Sequence, residues 1–326
     1  MRILVYRPAG GLGDVVCCLP AVAGLRAKYP HDHLSVLAPD VYRPLYERLG
    51  VVDDFPTVRV MGRTRIGAGE EEVRILLRRM RPRPTLNWNK FVNLWCPAGE
   101  YENAVRGRVH KGRTECFCEA AGVEPATPRY RVEPQKRQWA RGELLKWGLG
   151  RPLVVLQRHS ANVYKDWPAA HRQALVDRLR ADGCSVLTLG RNGPSIDGAV
   201  NVSTINFWSI AAFCGEADLV IAPDSGIMHL AGAVGAPVLA LFGPTDPRTT
   251  LRYYPTARAL WRPDVMRDTH CYCPCMHMPD NGYTANTPCL EEGACMRAIT
   301  VDEVHRAATE MLAERASLTQ VTEAVA

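Results

Sequence analysis

Apolar residues along this chain follow two alternating rhythms. Short runs rich in β-branched residues read as buried strands: Ile3-Leu4-Val5-Tyr6, Leu34 to Ala38, part of Leu86 to Trp95, Leu153 to Gln157, Cys184 to Leu189, Leu219 to Ala222 and Pro237 to Phe242. Between them lie stretches with helical spacing: Val15 to Tyr29, Glu70 to Met80, Thr114 to Ala121, Pro168 to Ala181, Ser209 to Ala217 and Gly226 to Val234. Gly122 is placed to close the third of these, and Pro168 to open the fourth. Val301 to Ala316 adds a last amphipathic helix. Alternating strands and helices predict parallel sheets covered on both faces and joined by right-handed crossovers.

The pattern breaks once. Val123 to Gly150 is rich in Pro, Arg and Gln, and the domain boundary is expected there. That gives residues 1–145 as one Rossmann-like domain and 146–300 as a second, with 301–326 as a terminal helix and tail. A length of 326 residues suits two domains of about 150 residues each. A ligand cleft is expected between the two, facing the carboxyl ends of the strands.

Composition narrows the setting. The longest apolar stretch, Val15 to Leu25, falls short of the roughly 20 residues a spanning helix needs, and Met1-Arg2 runs straight into a strand. A cytoplasmic protein is expected, with its twelve cysteines reduced or bound to metal. The net charge of +6 is uneven: Arg59 to Arg113 holds eleven Arg and two Lys against five Glu. Such a surface suits an anionic glycolipid or glycan and peripheral contact with the inner face of the plasma membrane, or is simply a solvated face. No nucleic-acid-binding module is present, so no nucleic-acid partner is expected.

Candidate chemistry sits where strands end. Strand Leu219 to Ala222 runs through Pro223 into Asp224-Ser225-Gly226, where a helix starts almost without a loop. Free amides and the helix dipole make such a start a diphosphate cradle, and glycine permits close approach. His229 lies one turn in. Asp224 or Ser225 acting as a plain helix cap is the competing reading. The following strand ends in Gly243-Pro244-Thr245-Asp246-Pro247, a second polar turn at the same edge. Near the N-terminus, Gly10-Gly11-Leu12-Gly13-Asp14 follows the first strand, so the Asp14 carboxylate is expected to face the cleft, as a base or as a helix cap. The loop is not a dinucleotide fingerprint, because Val16 stands where a third glycine belongs.

Three spaced motifs carry a family resemblance: Gly11-Leu12-Gly13-Asp14 followed by Pro20, Leu25 and Tyr29-Pro30; Lys165-Asp166-Trp167-Pro168; and the stretch from Asp218 to Pro247. In this order they resemble glycosyltransferase family 9, the ADP-heptose:lipopolysaccharide heptosyltransferases. The resemblance implies the GT-B fold, two Rossmann-like domains facing a central cleft. It implies an inverting, metal-independent transfer of a sugar, heptose, from an ADP-sugar to a lipopolysaccharide-core or related acceptor, with no cofactor needed for catalysis. By the resemblance Asp14 is the base, and Gly11 and Gly13 shape the acceptor loop. Ser160, Lys165, Gly190, Asp224, Ser225, Gly226 and His229 then hold the donor. No Asp-x-Asp pair is present to hold a divalent cation. The sequence departs from the family at Gln157-Arg158-His159-Ser160-Ala161-Asn162, where relatives commonly carry a small glycine- or alanine-rich element.

Cys271, Cys273, Cys275, Cys289 and Cys295 crowd one region, as reduced thiols or as ligands of a structural zinc or iron. Two other functions fit the residues: another GT-B enzyme, a transferase or epimerase using a different nucleotide sugar, and a nucleotide- or metal-binding protein without turnover.

Overall fold

The computed structural model describes residues 1–8, 10–56, 70–71, 73–74, 87–105, 108–190, 194–203, 206–264, 273–277, 289 and 291–325. Most of the expected helix Glu70 to Met80 lies outside them, as does the basic cluster Arg78 to Arg83. The chain divides into two compact units, Met1–Ala104 with Lys111–Arg131, and Val105–His110 with Val132–Ala326.

The first unit holds a parallel sheet of β1 (Arg2–Tyr6), β2 (His33–Leu37) and β3 (Lys90–Asn93), in the order β2-β1-β3. Four of the five β1 residues are buried, as the Ile-Leu-Val-Tyr run dictates. Helix α1 (Leu12–Lys28) crosses from β1 to β2. Next come the short α2 (Arg43–Glu47), then α3 (Pro97–Ala104) and α4 (Arg113–Ala121). Gly122 ends α4 at φ 67, a left-handed conformation that costs glycine nothing.

The second unit is built on a six-stranded parallel sheet. Helix α5 (Pro134–Lys146) precedes β4 (Leu153–Gln157), followed by α6 (Ala169–Ala181), β5 (Ser185–Gly190) and β6 (Val200–Ser203). Then follow α7 (Phe207–Glu216), β7 (Leu219–Pro223), α8 (Gly226–Ala233), β8 (Val238–Phe242), the one-turn α9 (Pro247–Thr250) and β9 (Ala257–Trp261), with α10 (Ala294–Arg297) and α11 (Val301–Val325) completing it. The strand order is β6-β5-β4-β7-β8-β9, parallel throughout. Strands β4, β7 and β8 are buried at every position, as expected for parallel strands covered on both faces. Helix α8 is buried along most of its length, from Met228 to Ala233. Gly232 is required there, since a Cβ would lie 2.3 Å from the Tyr254 ring.

Two expectations differ from what is observed. The segment read as a linker contains α5, thirteen residues long and opened by Pro134. It escapes the periodicity because it buries only Ala140 and Leu144. Its contacts run to α7, with Trp139 against Phe213 at 5.2 Å and Arg141 donating to buried Glu216 at 2.7 Å. The unit boundary therefore falls at 131/132 rather than at 145/146, and α11 packs into the second unit through Val304, Ala308 and Met311 instead of forming a separate tail.

Candidate active site

In the second unit the direction of strand addition reverses at β4. Strands β5 and β6 go to one side, β7, β8 and β9 to the other, so the edge beyond the carboxyl ends of β4 and β7 is the topological switch point. The loops there meet. The Ser225 hydroxyl donates to Gln157 Oε1 at 2.5 Å and accepts the Met228 amide at 3.4 Å, so Ser225 is the cap of α8 and Asp224 is not. Asp224 instead forms the centre of a cluster. Lys165 Nζ and Thr245 Oγ1 both donate to its Oδ2, at 2.6 and 2.8 Å, and His229 Nε2 lies 3.7 Å from its Oδ1. His229 is held on its other side by the Tyr254 hydroxyl, 2.9 Å from Nδ1. Burial alone would raise the Asp224 pKa, but the Lys165 charge, His229 and the two hydrogen bonds overcome it and hold the carboxyl well below the usual carboxylate range.

The motif Lys165-Asp166-Trp167-Pro168 acts as a bracket. Asn162 Oδ1 accepts the Tyr164 amide at 2.9 Å and caps the 3-10 turn Val163–Lys165, which carries the lysine. Asp166 accepts the Ser160 amide at 2.6 Å and closes the loop. Trp167 is buried and donates to the Ile299 carbonyl at 2.8 Å, and Pro168 precedes α6. The Ser160 hydroxyl is hydrogen-bonded locally, donating to the Asn162 carbonyl. Gly190 lies under Arg158, which would touch a Cβ at 3.1 Å and whose Nη2 donates to the Gly190 carbonyl at 2.9 Å. The element that departs from the family thus packs Arg158 across to β5 and β6, where it also reaches the Val202 carbonyl at 3.2 Å.

Sequence reasoning brought Lys165, Asp224, Ser225, Gly226 and His229 to one edge, and they are there. It missed Gln157, Thr245 and Tyr254 as partners. Thr245 lay in a turn already marked as polar, whereas Tyr254 gave no signal. It also missed Asp246, whose buried carboxylate is gripped by Arg108 at 2.6 Å and Arg248 at 3.0 Å, with both guanidiniums 5.5 Å from the Trp261 ring centre.

In the first unit Asp14 lies in the first turn of α1, after β1, at the switch point between β1 and β3. Its Oδ2 accepts the Gly11 amide at 3.1 Å, which fixes the helix start. Gly13 lies one residue before it in the helix. Gly10 adopts φ 123, and a Cβ there would collide with the Arg7 guanidinium. The Oδ1 of Asp14 is bonded to Arg113, at the start of α4, a contact that the sequence did not announce. Burial would raise the Asp14 pKa, but Arg113, Arg7 and the Gly11 amide outweigh it and keep it below 3.8.

Of the clustered cysteines, Cys271 lies outside the described residues. Cys273 donates to the Gly243 carbonyl at 3.0 Å and is hydrogen-bonded to Cys295, whose thiol that bond and burial push far above its ordinary range. The Gly293 amide donates to Cys289 at 3.2 Å, and Cys275 starts a short 3-10 turn. Among the described residues no three His, Cys, Asp or Glu side chains are placed to share a metal ion. No helix among them is long and apolar enough to cross a membrane.

A β6-β5-β4-β7-β8-β9 parallel sheet, with a capped helix start and a part-buried Lys–Asp pair at its switch point, defines a doubly wound, Rossmann-like class of α/β unit. Within that class, the chain belongs to glycosyltransferase family 9 (heptosyltransferase), whose profile matches residues 108–277, just over half of it. It is 31% identical over 140 residues to lipopolysaccharide heptosyltransferase 3 of Escherichia coli, a match covering 38% of this chain and 40% of that relative's length. Its fold matches a glycosyl transferase family 9 structure from Veillonella parvula DSM 2008, with a TM-score of 0.72, 19% identity, and coverage of 96% of this chain and 97% of that one. It also matches a dodecameric iron-containing heptosyltransferase solved in complex with ADP-D-β-D-heptose, with a TM-score of 0.66, 15% identity, and coverage of 96% and 77%. The parallel α/β architecture expected from the sequence is that of these structures.

Proposed function

We propose that the protein is an inverting glycosyltransferase that moves heptose from an ADP-sugar to an anionic lipopolysaccharide-core or related acceptor in the cytoplasm. One observation carries most weight: Lys165, Asp224 and Thr245 converge at the start of α8, at the switch point of the second sheet. Membership of family 9 and the ADP-heptose complex of a structural neighbour support the donor.

In this reading the diphosphate sits on the amide-lined start of α8 at Ser225 and Gly226. Lys165, positioned by Asp224, has further ammonium protons to donate to a phosphate oxygen of the leaving group. Asp224 and His229 form the polar floor. An acceptor hydroxyl attacks the anomeric carbon from the face opposite the diphosphate and gives its proton to Asp14. The new C–O bond forms as the glycosyl–phosphate bond breaks, and ADP leaves with the electron pair. The sequence has no Asp-x-Asp pair to bridge a divalent cation to the diphosphate, and in this reading the helix start and Lys165 meet it instead. A zinc or iron at the cysteine cluster is structural in this reading, and elemental analysis of the purified protein reports on it separately from turnover.

Calorimetry with ADP and UDP, paired with transfer assays using ADP-heptose, ADP-glucose and UDP-sugars, tests the proposal. ADP binding and ADP-heptose turnover that persists in EDTA are expected. Tighter binding of UDP, with turnover of a UDP-sugar alone, would move the protein to another donor, and nucleotide binding with no transfer would make it a binding protein.

A further inference from the structure

Each oxygen of Asp14 accepts a hydrogen bond. The Gly11 amide holds Oδ2 and the Arg113 guanidinium holds Oδ1. Among the described residues, the charged groups acting on this carboxylate are Arg7 after β1 and Arg113 on α4, and Arg113 is in turn acted on by Cys17 on α1 and Glu102 on α3. Two of these cations differ in freedom. Arg7 is buried, donates to the Trp95 carbonyl at 2.6 Å and lies 4.9 Å over the Phe117 ring, so it is fixed. The Arg113 side chain is 46% exposed against 20% for Asp14, and its second partner, Glu102, is 3.4 Å away. A carboxylate in contact with a guanidinium is a poor proton acceptor.

We propose that Arg113 holds Asp14 in check in the free enzyme and is drawn off by an acidic group of the acceptor, a carboxylate or a phosphate, so that the acceptor completes its own base. This rests on Asp14 being the base. Arg113 trades one anion for another, and the acceptor hydroxyl takes its place at Oδ1, so Asp14 keeps only the more distant Arg7 charge and becomes a better base. The hydroxyl proton then passes to Oδ1 as the glycosidic bond forms. With a neutral acceptor Arg113 stays on Asp14 and transfer is slow. Arg113 is thus a positioning residue that makes turnover depend on the acceptor's acid group.

The test is steady-state transfer from saturating ADP-heptose across about pH 2.5 to 8, a span that reaches below the ordinary carboxylate value. The probes are a lipopolysaccharide-core oligosaccharide, the same oligosaccharide with its carboxylates methyl-esterified, and the same with its phosphates removed. For the native protein, the acid limb of kcat with the intact acceptor is expected at higher pH than that of kcat/KM, because the first reports the complex and the second the free enzyme. In Arg113→Gln the kcat/KM limb moves up to join it, and KM for the intact acceptor rises about tenfold, a loss of about 1.4 kcal/mol. The acceptor lacking the relevant acid group turns over faster in Arg113→Gln than in the native protein, a gain that a merely structural role does not produce. Whichever modified acceptor shows that gain identifies the group as carboxylate or phosphate. Arg113→Lys retains the split limbs, and it gives the same comparison in smaller measure if Arg113→Gln folds poorly. Unmoved limbs, or equal slowing on all three acceptors, overturn the proposal. If Asp14→Asn still transfers heptose, the base reading itself fails, an outcome separable from a failure at Arg113 alone.

Discussion

Asp224 and Asp14 each lie just beyond the carboxyl end of a parallel strand, each beside a basic side chain, yet their surroundings are opposite in kind. The Asp224 and Lys165 side chains are 11% and 20% exposed, and the pair is braced by Thr245, by His229 with Tyr254 behind it, and by a loop that Trp167 anchors in the core. Asp14 meets an arginine that stands nearly half in solvent and has one other, longer contact. The first arrangement is a fixed frame, in which removing a partner strands a buried charge. The second is a more exposed contact, in which removing the carboxylate is expected to take away chemistry and little stability.

That contrast is tested most severely by Asp14→Asn. Asparagine fills the same space and still accepts the Gly11 amide, but it cannot take a proton. Transfer is expected to fall by about 10²–10⁴-fold, the usual contribution of a positioned base. ADP affinity by calorimetry and the melting temperature should stay close to native. A large loss of stability would show that the two carboxylates are not different in kind.

Lys165→Ala comes next and acts on the frame. It leaves Asp224 buried without its cation, which costs about 3–5 kcal/mol when one member of a buried pair is removed. Urea unfolding measures this, and Lys165→Ala with Asp224→Asn should recover part of it, while ADP binding stays weak in both. The pH dependence has a fixed sign. The Asp224 pKa is depressed in the folded protein, so its stabilisation is present above the ordinary value of 3.8 and is lost as pH falls below it. Lys165→Ala should flatten that acid-side loss.

Much of this frame was legible from residue order alone. Strand β4 begins and ends where the run Leu153 to Gln157 does, because a parallel strand buried on both faces needs an unbroken apolar stretch. Lys165-Asp166-Trp167-Pro168 was visible as a family motif, although the partners of Lys165 and Trp167, Asp224 and the Ile299 carbonyl, are distant in the chain. Elements that bury little were invisible: α5, with Ala140 and Leu144 alone inside, β6, with no buried position, and the edge strand β9, with none. Neither could periodicity disclose contacts between distant residues. Arg113 lies 99 positions from Asp14, and Thr245 lies 21 from Asp224, so each pairing exists only once the strands are parallel and their ends adjacent.

Gly232→Ala probes the frame from behind. The new methyl would meet the Tyr254 ring, and overpacking of this kind costs about 1–3 kcal/mol. Moving Tyr254 also removes the hydroxyl that holds His229, so ADP affinity should fall along with stability. A stability loss with native ADP affinity would separate His229 from the site.

The smallest effect compares the two helix starts. Helix α1 begins at Gly11, which has no side chain to cap with, and its amide is bound by Asp14 instead; α8 begins at Ser225, whose hydroxyl accepts the Met228 amide and donates to Gln157. Ser225→Ala removes a cap worth about 1 kcal/mol and leaves Gln157 Oε1 without that donor. Ser225→Gly should cost only a few tenths, because glycine tolerates the cap conformation. If the hydroxyl serves only the helix, ADP binding follows this same small ranking. If it also orients Gln157 toward the diphosphate, both variants lose affinity alike while their stabilities differ, and calorimetry beside urea unfolding tells the two apart.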